Sequence, residues 1–582
     1  MTRHFETRPR QPPNGAPLAK WSTVSPLTAL HFMVPAPRTS PTQIQDAGCD
    51  GGYAFVMATK TPAEIVSSLQ AGYTFSGSSI ALGAAIVDGA VHPEAQVSLP
   101  LAMMNRHGLV AGATGTGKTV TLHMMAEQLS TAGVPVFMAD IKGDLTGLAT
   151  AGTGSDKLTA RTQGIGQQWE SKAFPVEFLA LGGAGNGVPV RATITSFGPI
   201  LLSRVLGLNE TQESSLQLVF HYADTKSLEL YDLKDLRAVI QFLTSDEGKA
   251  DLEELGGLSK ATAGVILRNL ITLDAQGMSD FFGMPEFDTA ELLRTAPDGR
   301  GVITCLELPS VQDKPLLFST FLMWLLADLF RDLPEVGDAD KPKLVFFFDE
   351  AHLLFMGASK AFLNAITQTV RLIRSKGVGI FFVTQTPKDV PGDVLAQLAN
   401  RVQHALRAFT PDDAKALKAT VSTFPVSDYN LEEVLTSAGI GEAVVTVMNE
   451  NGAPTPVALT RMRAPGSVMG PAADDAVKAV VAASSLLPTY GTAVDPVSAY
   501  EKLQGQAAAP TTGPAVGTPL PPPPPANLPA PKNDGGGLGA EVMGALGGAL
   551  GGGVKSMIRS MGSQLGRSLM RDMFGTAPRR RR

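Results

Sequence analysis

The sequence predicts an α/β fold in which helices cover both faces of a mostly parallel sheet. Short apolar runs alternate with stretches of helical periodicity through residues 61–465, as in a doubly wound sheet. A glycine-rich loop joins one of the first of these runs to a helix. A later run is apolar on both faces and ends in two adjacent acids, which is typical of a central parallel strand.

The glycine-rich loop at residues 112–119 carries the most specific pattern in the chain. It follows an apolar strand at 107–111, precedes a helix at 120–129, and matches G-x-x-x-x-G-K-[ST] at every position. Backbone amides of such a loop, together with the helix N-terminus, bind phosphate oxygens. We expect Lys118 to reach the β- and γ-phosphates and Thr119 to hold Mg²⁺. The predicted nucleotide-binding residues are Gly112, Ala113, Thr114, Gly115, Thr116, Gly117, Lys118, Thr119 and Val120.

The apolar run at residues 343–348 ends in Asp349 and Glu350. Ligands of α/β sheets bind at the carboxyl ends of the strands, so both acids are expected at the site. Asp349 suits the Mg²⁺ shell, and Glu350 is placed to accept a proton from attacking water. The alternative is that the two acids form a turn that faces solvent, but the complete phosphate loop elsewhere in the chain favours a nucleotide site. The two patterns together predict hydrolysis of a nucleoside triphosphate, with ATP and Mg²⁺ as cofactors.

Further polar groups follow other predicted strands. The strand at 134–139 ends in the charged segment 140–144, for which a functional role and a plain loop exit are equally compatible with the pattern. Gln385 ends the strand at 379–385 and is predicted to contact the γ-phosphate and water as a sensor; capping its own strand is the alternative. Another strand is predicted at 301–306.

Two arginines lie on the predicted helix 360–375. Arg371 and Arg374 are candidates for an arginine finger that acts in trans on the nucleotide of a neighbouring subunit. The alternative is a solvated helical face, since Lys376 follows closely. Spacing alone leaves both open.

Composition divides the chain into four parts. Residues 1–60 are rich in proline and polar residues and are expected to be poorly ordered, and 61–465 form the α/β domain, which begins with a small β element at 61–106. A helical insertion is predicted at about 155–295. Residues 466–553 are predicted to be an Ala/Pro/Gly-rich linker. Residues 554–582 form a cationic amphipathic helix and a basic tail, which can dock on the chain's own core, a partner, anionic lipid or nucleic acid.

Bulk properties favour a cytoplasmic protein. The 582 residues carry a net charge of −6, so any nucleic-acid surface has to be local. Cys49 and Cys305 form neither a disulfide framework nor a metal site by spacing. The N-terminus lacks the order of a signal peptide, and the apolar stretch at 316–330 is too short for a transmembrane segment.

Six segments give the chain a specific resemblance to a known group. The segments are 105–119 (NRHGLVAGATGTGKT), 140–144 (DIKGD), 346–354 (FFFDEAHLL), 370–379 (VRLIRSKGVG), 384–387 (TQTP) and 400–409 (NRVQHALRAF). With them the chain resembles the bacterial HerA-like ATPases, and more narrowly the DUF853 group of the FtsK–HerA superfamily, over about residues 60–465.

The resemblance implies a RecA-like P-loop NTPase core, hydrolysis of Mg²⁺-ATP and a homo-oligomer, expected as a hexameric ring. It supports Asp349 as a Mg²⁺ ligand, Glu350 as base and Gln385 as sensor, and it ranks Arg374 before Arg371 as the trans finger. HerA translocases carry a substantial N-terminal β-barrel, for which the residues before 105 are short.

Two functions are compatible with these observations. The first is an oligomeric, ATP-driven DNA translocase or helicase, with DNA as partner. The second is a non-translocating regulatory or assembly ATPase that acts on protein partners, with the C-terminal tail as a contact. A motor tethered to a membrane by the helix at 554–574 is a third possibility, which rests on that helix alone.

Overall fold

The computed structural model describes residues 60–505, except residues 255, 313, 338 and 356–359. Across these residues twelve strands form one sheet with the order β2-β1-β12-β11-β10-β3-β9-β8-β4-β7-β5-β6. The strands are β1 (Ser79–Val87), β2 (Ala90–Pro100), β3 (Gly108–Ala111), β4 (Val136–Asp140), β5 (Val176–Leu181), β6 (Val188–Val190), β7 (Ile303–Glu307), β8 (Leu344–Phe348), β9 (Val378–Thr384), β10 (Asn400–His404), β11 (Glu442–Thr446) and β12 (Ala458–Met462).

The sheet has a parallel part and an antiparallel part. From β10 to β6 every neighbouring pair is parallel, and from β2 to β10 every pair is antiparallel. The glycine-rich loop follows β3, which lies between β10 and β9. β8 lies between β9 and β4, so the ends of β3, β9, β8 and β4 meet at one edge. The predicted mostly parallel sheet is confirmed, as is the small β element at 61–106.

Helices cover both faces of the sheet, as predicted. In chain order they are α1 (Pro62–Gly72), α2 (Lys118–Thr131), α3 (Asp156–Gly164), α4 (Ile194–Val205), α5 (Glu210–Thr225), α6 (Leu233–Leu243), α7 (Lys249–Glu254), α8 (Lys260–Ala275), α9 (Pro315–Asp332), α10 (His352–Phe355), α11 (Lys360–Ile373), α12 (Gly392–Leu395), α13 (Pro411–Val421), α14 (Leu431–Ser437), α15 (Asp474–Ala482), α16 (Leu487–Tyr490) and α17 (Ala499–Leu503). In the described ranges, no helix combines the length and apolar character needed to cross a membrane.

The alternation of β8 shows why its sequence is apolar throughout. Phe346 and Phe348 pack in one core, with helices α4–α6, α8, α9 and α11. Val345 and Phe347 pack in a second core on the opposite face, which includes α2. Successive side chains of a strand point to opposite faces, so a strand covered on both sides needs an apolar residue at every position.

The interval 155–295, predicted as a helical insertion, is not purely helical. It contains β5 and β6, which extend the parallel sheet beyond β7. Helices α4–α8 follow these strands and pack in the first core. The run of β6 is only three residues long, which is too short to give a periodic pattern.

The prediction of a linker from residue 466 is wrong for residues 466–505. Helices α15, α16 and α17 fold in this segment, where Val477, Leu486 and Tyr490 are buried in the two cores and polar contacts add to the packing. Arg191 donates to Tyr490 O at 2.9 Å, and Asp235 accepts hydrogen bonds from Ser498 Oγ and from Tyr500 N. Alanine dominates the composition of this segment, and composition does not reveal that a few of its side chains reach the core. Residues 1–59 and 506–582, with the calls made for them, lie outside the described residues.

Candidate nucleotide site

The glycine-rich loop lies where the sequence predicts it, between β3 and the N-terminus of α2. Gly112 passes close to β10: a Cβ at this position would lie 2.5 Å from His404 Cβ. Gly117, which precedes the first residue of α2, has φ 111°, a conformation that side chains disfavour. The backbone of Gly112 donates to Thr384 O on β9, and that of Ala113 to Ala405 O after β10. The loop is therefore held by both neighbouring strands.

Lys118 is buried in the curl of this loop. Its Nζ donates to Gly112 O at 2.7 Å and to Ala113 O at 3.3 Å. Burial lowers the pKa of Lys118, while the nearby charge of Glu350 opposes the shift. The ammonium group thus lies at the phosphate-binding loop, as predicted.

The two acids after β8 adopt different roles at the carboxyl edge. Asp349 is 4% exposed, and its Oδ2 accepts no hydrogen bond from any described residue. Burial and the adjacent charge of Glu350 raise the pKa of Asp349 to about 7. A buried carboxylate in this condition favours a cation as neighbour.

Glu350 turns the chain immediately after Asp349. It has φ 45°, which is uncommon for a residue with a side chain and is found where the surroundings impose it. Its Oε1 accepts a hydrogen bond from Lys142 Nζ, and His352 Nδ1 lies 3.1 Å from Oε2 without hydrogen-bond geometry. Burial acts to raise the pKa of Glu350, but Lys142, with smaller contributions from His352 and Lys118, keeps that pKa below its usual value. The carboxylate that the sequence predicts as the base is thus paired with Lys142.

Asp140, the last residue of β4, organises the loop that carries Lys142. Its Oδ1 accepts from the amides of Lys142 (3.2 Å) and Gly143 (2.7 Å), and its Oδ2 accepts from the amide of Leu145 (2.8 Å). Asp140 is fully buried, which raises its pKa to about 6. The charged segment 140–144 is thus part of the site, through a structural acid and the two side chains at 142 and 144.

Asp144 meets the hydroxyl group predicted to bind Mg²⁺. Thr119 Oγ1 donates to Asp144 Oδ2 at 3.2 Å, and Asp144 Oδ1 is buried and accepts no hydrogen bond from a described residue. Within the described ranges no cluster of three or more His, Cys, Asp or Glu side chains could hold a metal ion. Mg²⁺ binds through one or two carboxylates, phosphate oxygens and water. Thr119 and Asp349 fit that pattern, since Asp349 offers an unsatisfied oxygen.

Gln385 lies at the carboxyl end of β9, directly beside the phosphate loop. It is exposed and lines a cavity of about 350 Å³ together with Ala113, Thr114, Lys388 and Arg407. This position agrees with a residue that contacts the end of a triphosphate. Its role as sensor stays a prediction.

Arg371 and Arg374 lie on the side of the sheet where the parallel strands begin, opposite the strand ends that carry the phosphate loop. Both are exposed and precede β9, and Arg374 lies near His107, which directly precedes β3. The charge of Arg374 contributes to the depressed pKa of His107, about 4, after the larger effect of burial. β3 alone separates that side from the phosphate loop by about 13 Å. Within one chain these arginines are therefore not brought to the nucleotide site, and a finger role remains a prediction that requires a second subunit.

Two further acidic or basic groups were not singled out from the sequence. Lys142 contacts the predicted base, and Glu307 ends β7 beside Asp140 in the parallel register. Glu307 is 7% exposed, and burial followed by the charge of Asp140 raises its pKa to about 8. One sequence pattern could have pointed to both residues, because each lies where an apolar strand ends in charged residues.

A family model and several solved structures are similar to the chain. The family described as helicase HerA-like, C-terminal, matches residues 87–582. Among curated proteins, no match was found. The bacterial conjugative coupling protein TrwBΔN70 is similar at 17% identity, with 69% of this chain and 94% of that chain covered and a TM-score of 0.45. VirB4 of Thermoanaerobacter pseudethanolicus is similar at 14% identity, with 67% and 97% covered and a TM-score of 0.39.

Fold and site together define a P-loop ATPase: the parallel part of the sheet carries the phosphate loop after β3 and the acidic pair after β8, with β9 between the two strands. Because the family match spans most of the sequence, the chain belongs to the HerA-like C-terminal helicase family. ATP and Mg²⁺ are the cofactors that this site fits.

Proposed function

We propose that the chain is a Mg²⁺-dependent ATP hydrolase that works as a homo-oligomeric motor on DNA. The observation that carries the hydrolytic part is the meeting of Lys118, Asp349 and Glu350 at the ends of β3 and β8, with one carboxylate oxygen of Asp349 unsatisfied. Membership of the HerA-like helicase family supports the motor part.

The chain's residues divide the work of hydrolysis. The loop amides and Lys118 would bind the phosphates, and Thr119 and Asp349 would hold Mg²⁺, which would supply neutralisation of phosphate charge when bound. A water oxygen bonds to the γ-phosphorus, and the bond from that phosphorus to the β–γ bridging oxygen breaks. Glu350 accepts the proton of the water, so that ADP and inorganic phosphate are released. Gln385, at the rim of the loop, orients the water and registers loss of the phosphate.

The proposal places Arg374, with Arg371 second, in the site of a neighbouring subunit. The support is their position at the edge opposite their own phosphate loop, with both side chains exposed. A ring, expected to be hexameric, brings such an edge to the next subunit's nucleotide. If so, Arg374→Ala subunits and Lys118→Ala subunits, each inactive alone, should regain activity when mixed. Failure of every mixing ratio, with mixed oligomers demonstrated, contradicts a trans finger.

DNA-dependent turnover tests the motor part. The ATPase rate of the full chain is measured with and without single- or double-stranded DNA, together with particle mass with and without Mg²⁺-ATP. A motor on DNA predicts a higher rate with one DNA form and an oligomer in Mg²⁺-ATP. A rate that neither DNA changes contradicts translocation.

The second candidate is an ATPase that regulates or assembles protein partners. The net charge of −6 favours it, because the chain has no overall basic character. This candidate predicts nucleotide-dependent binding to a protein or a nucleotide-dependent oligomeric state, with no effect of DNA on the rate. The C-terminal tail is the proposed partner contact, and its deletion should abolish that binding while ATP hydrolysis continues.

A further inference from the structure

Lys142 is a charged side chain of the site to which the proposed chemistry gives no task. It is two residues beyond the end of β4 and donates to Glu350 Oε1, two residues beyond the end of the adjoining β8. The two side chains differ in burial: 46% of Lys142 is exposed and 5% of Glu350. Glu350, the proposed base, is thus buried inside the site, while Lys142, which occupies one of its carboxylate oxygens, lies at the solvent-exposed side.

Lys142 also lies within the electrostatic reach of the phosphate loop. Its charge contributes to the lowered pKa of Lys118, after burial, and Asp349 and Asp144 act on both lysines. Asp140 fixes the backbone at Lys142 through three amide hydrogen bonds, so only the flexible side chain is free to change direction. A long ammonium side chain on a fixed loop can contact one of two neighbouring anions.

We propose that Lys142 exchanges partners on nucleotide binding: it pairs with Glu350 in the empty site and with the terminal phosphate of a bound triphosphate. The inference rests on the proposed function, because it presupposes that the phosphate loop holds ATP. The terminal phosphate carries more charge than one carboxylate and therefore competes for the ammonium. Release of Glu350 Oε1 then frees the base to accept a proton from water. Lys142 is in this sense a positioning residue that distinguishes ATP from ADP.

If Lys142 exchanges partners, substitutions of Lys142 and Glu350 should change the affinity for ATP but not for ADP. A purely structural ion pair would not distinguish the two nucleotides. Lys142→Met removes a contact to the terminal phosphate, so it should weaken ATP binding about tenfold and leave ADP binding unchanged. Glu350→Gln removes the competing anion, so it should strengthen ATP binding and again spare ADP. In the Lys142→Met background, Glu350→Gln should have no such effect, because the lysine that it would release is gone.

Equilibrium titration measures these effects. A fluorescent non-hydrolysable ATP analogue and the matching ADP analogue, both with Mg²⁺, are titrated into the full-length wild type, the two single variants and the double variant. Lys142→Arg is included as the conservative variant and should keep most of the preference for ATP. Lys341→Met is the matched control, since Lys341 Nζ donates to Ala132 O at the far end of α2, and it should change neither affinity.

The outcomes separate this inference from the proposed function. Equal ATP-to-ADP affinity ratios in the wild type, Lys142→Met and Glu350→Gln overturn the partner exchange. A wild type that binds neither analogue overturns the proposed function instead. If Lys142→Met does not fold, Glu350→Gln alone decides: tighter binding of the ATP analogue only supports the exchange, and unchanged binding contradicts it.

Discussion

The ends of β4 and β8 carry buried aspartates in adjoining strands, yet their surroundings differ. Asp140 has both carboxylate oxygens occupied by backbone amides of the following loop. Asp349 is about as buried, but its Oδ2 accepts no hydrogen bond from a described residue. Burial raises the pKa of both, to about 6 for Asp140 and about 7 for Asp349.

The difference distinguishes an acid that shapes the site from one that requires a ligand. A buried acceptor without a hydrogen bond costs about 1–3 kcal/mol. Asp140 avoids that cost by fixing its own loop, so its contribution is made before any ligand arrives. Asp349 bears the cost until a cation binds, which is why it is the better candidate for Mg²⁺.

Of the substitutions that test this difference between the two aspartates, Asp349→Asn should have the largest effect, on kcat. The amide cannot balance the charge of Mg²⁺, so kcat should fall about 100-fold or more. Stability should stay the same or rise, because a buried charge is removed. Steady-state ATPase rates and thermal unfolding of the same samples measure both effects. Full activity of a folded Asp349→Asn protein would contradict the assignment of Asp349 to Mg²⁺.

Asp140→Asn should show the reverse pattern, with stability as the main loss. Asparagine has one carboxamide oxygen, which can replace only one of the two aspartate oxygens as acceptor. If it accepts from the amides of Lys142 and Gly143, its NH₂ group faces the amide of Leu145, which then has no acceptor. Urea unfolding should show a loss of about 1–3 kcal/mol in the free energy of unfolding. If Asp140→Asn is as stable as the wild type while kcat collapses, the contrast between the two acids is wrong.

Glu307 extends the comparison to β7, with a smaller effect that depends on pH. Burial and the charge of Asp140 raise the pKa of Glu307 from near 4.5 to about 8. Between these values the folded state binds the proton more tightly than the unfolded state, so stability is greatest at the acidic end and falls as the pH rises to about 8.

Glu307→Gln should therefore make the decline in unfolding temperature between pH 5 and 8 shallower. At pH 8 the variant should be more stable than the wild type, since it buries no charge. Thermal unfolding across this pH range measures the slope. A slope identical to that of the wild type would mean that Glu307 titrates normally.

Much of the site could be predicted because its chemistry requires local sequence patterns. The loop at 112–119 and the pair Asp349–Glu350 each follow a strand whose apolar run is easy to identify, and parallel strands bring their carboxyl ends to one edge. The contact between Lys142 and Glu350 could not be predicted, since it depends on β4 and β8 being neighbours although about 200 residues separate them in the chain.

The C-terminal segment shows the opposite situation. Residues 474–503 lack a long apolar run, and their place is fixed by a few buried side chains such as Val477 and Tyr490 together with polar contacts such as Asp235 with Ser498. Composition predicts a linker there because it averages over residues, whereas a few anchors decide whether the segment folds. The strand order, with β7 and β5 beyond β4, likewise follows from tertiary packing and not from any one segment.

Glu350→Gln tests the central claim most directly. The substitution keeps the shape of the side chain but removes its ability to accept a proton, so the account predicts kcat lower by about 10²- to 10⁴-fold. Binding of the fluorescent ATP analogue, measured on the same preparation, should be at least as tight as in the wild type. A folded variant that hydrolyses ATP at the wild-type rate would contradict the account, because Glu350 would then not be the base.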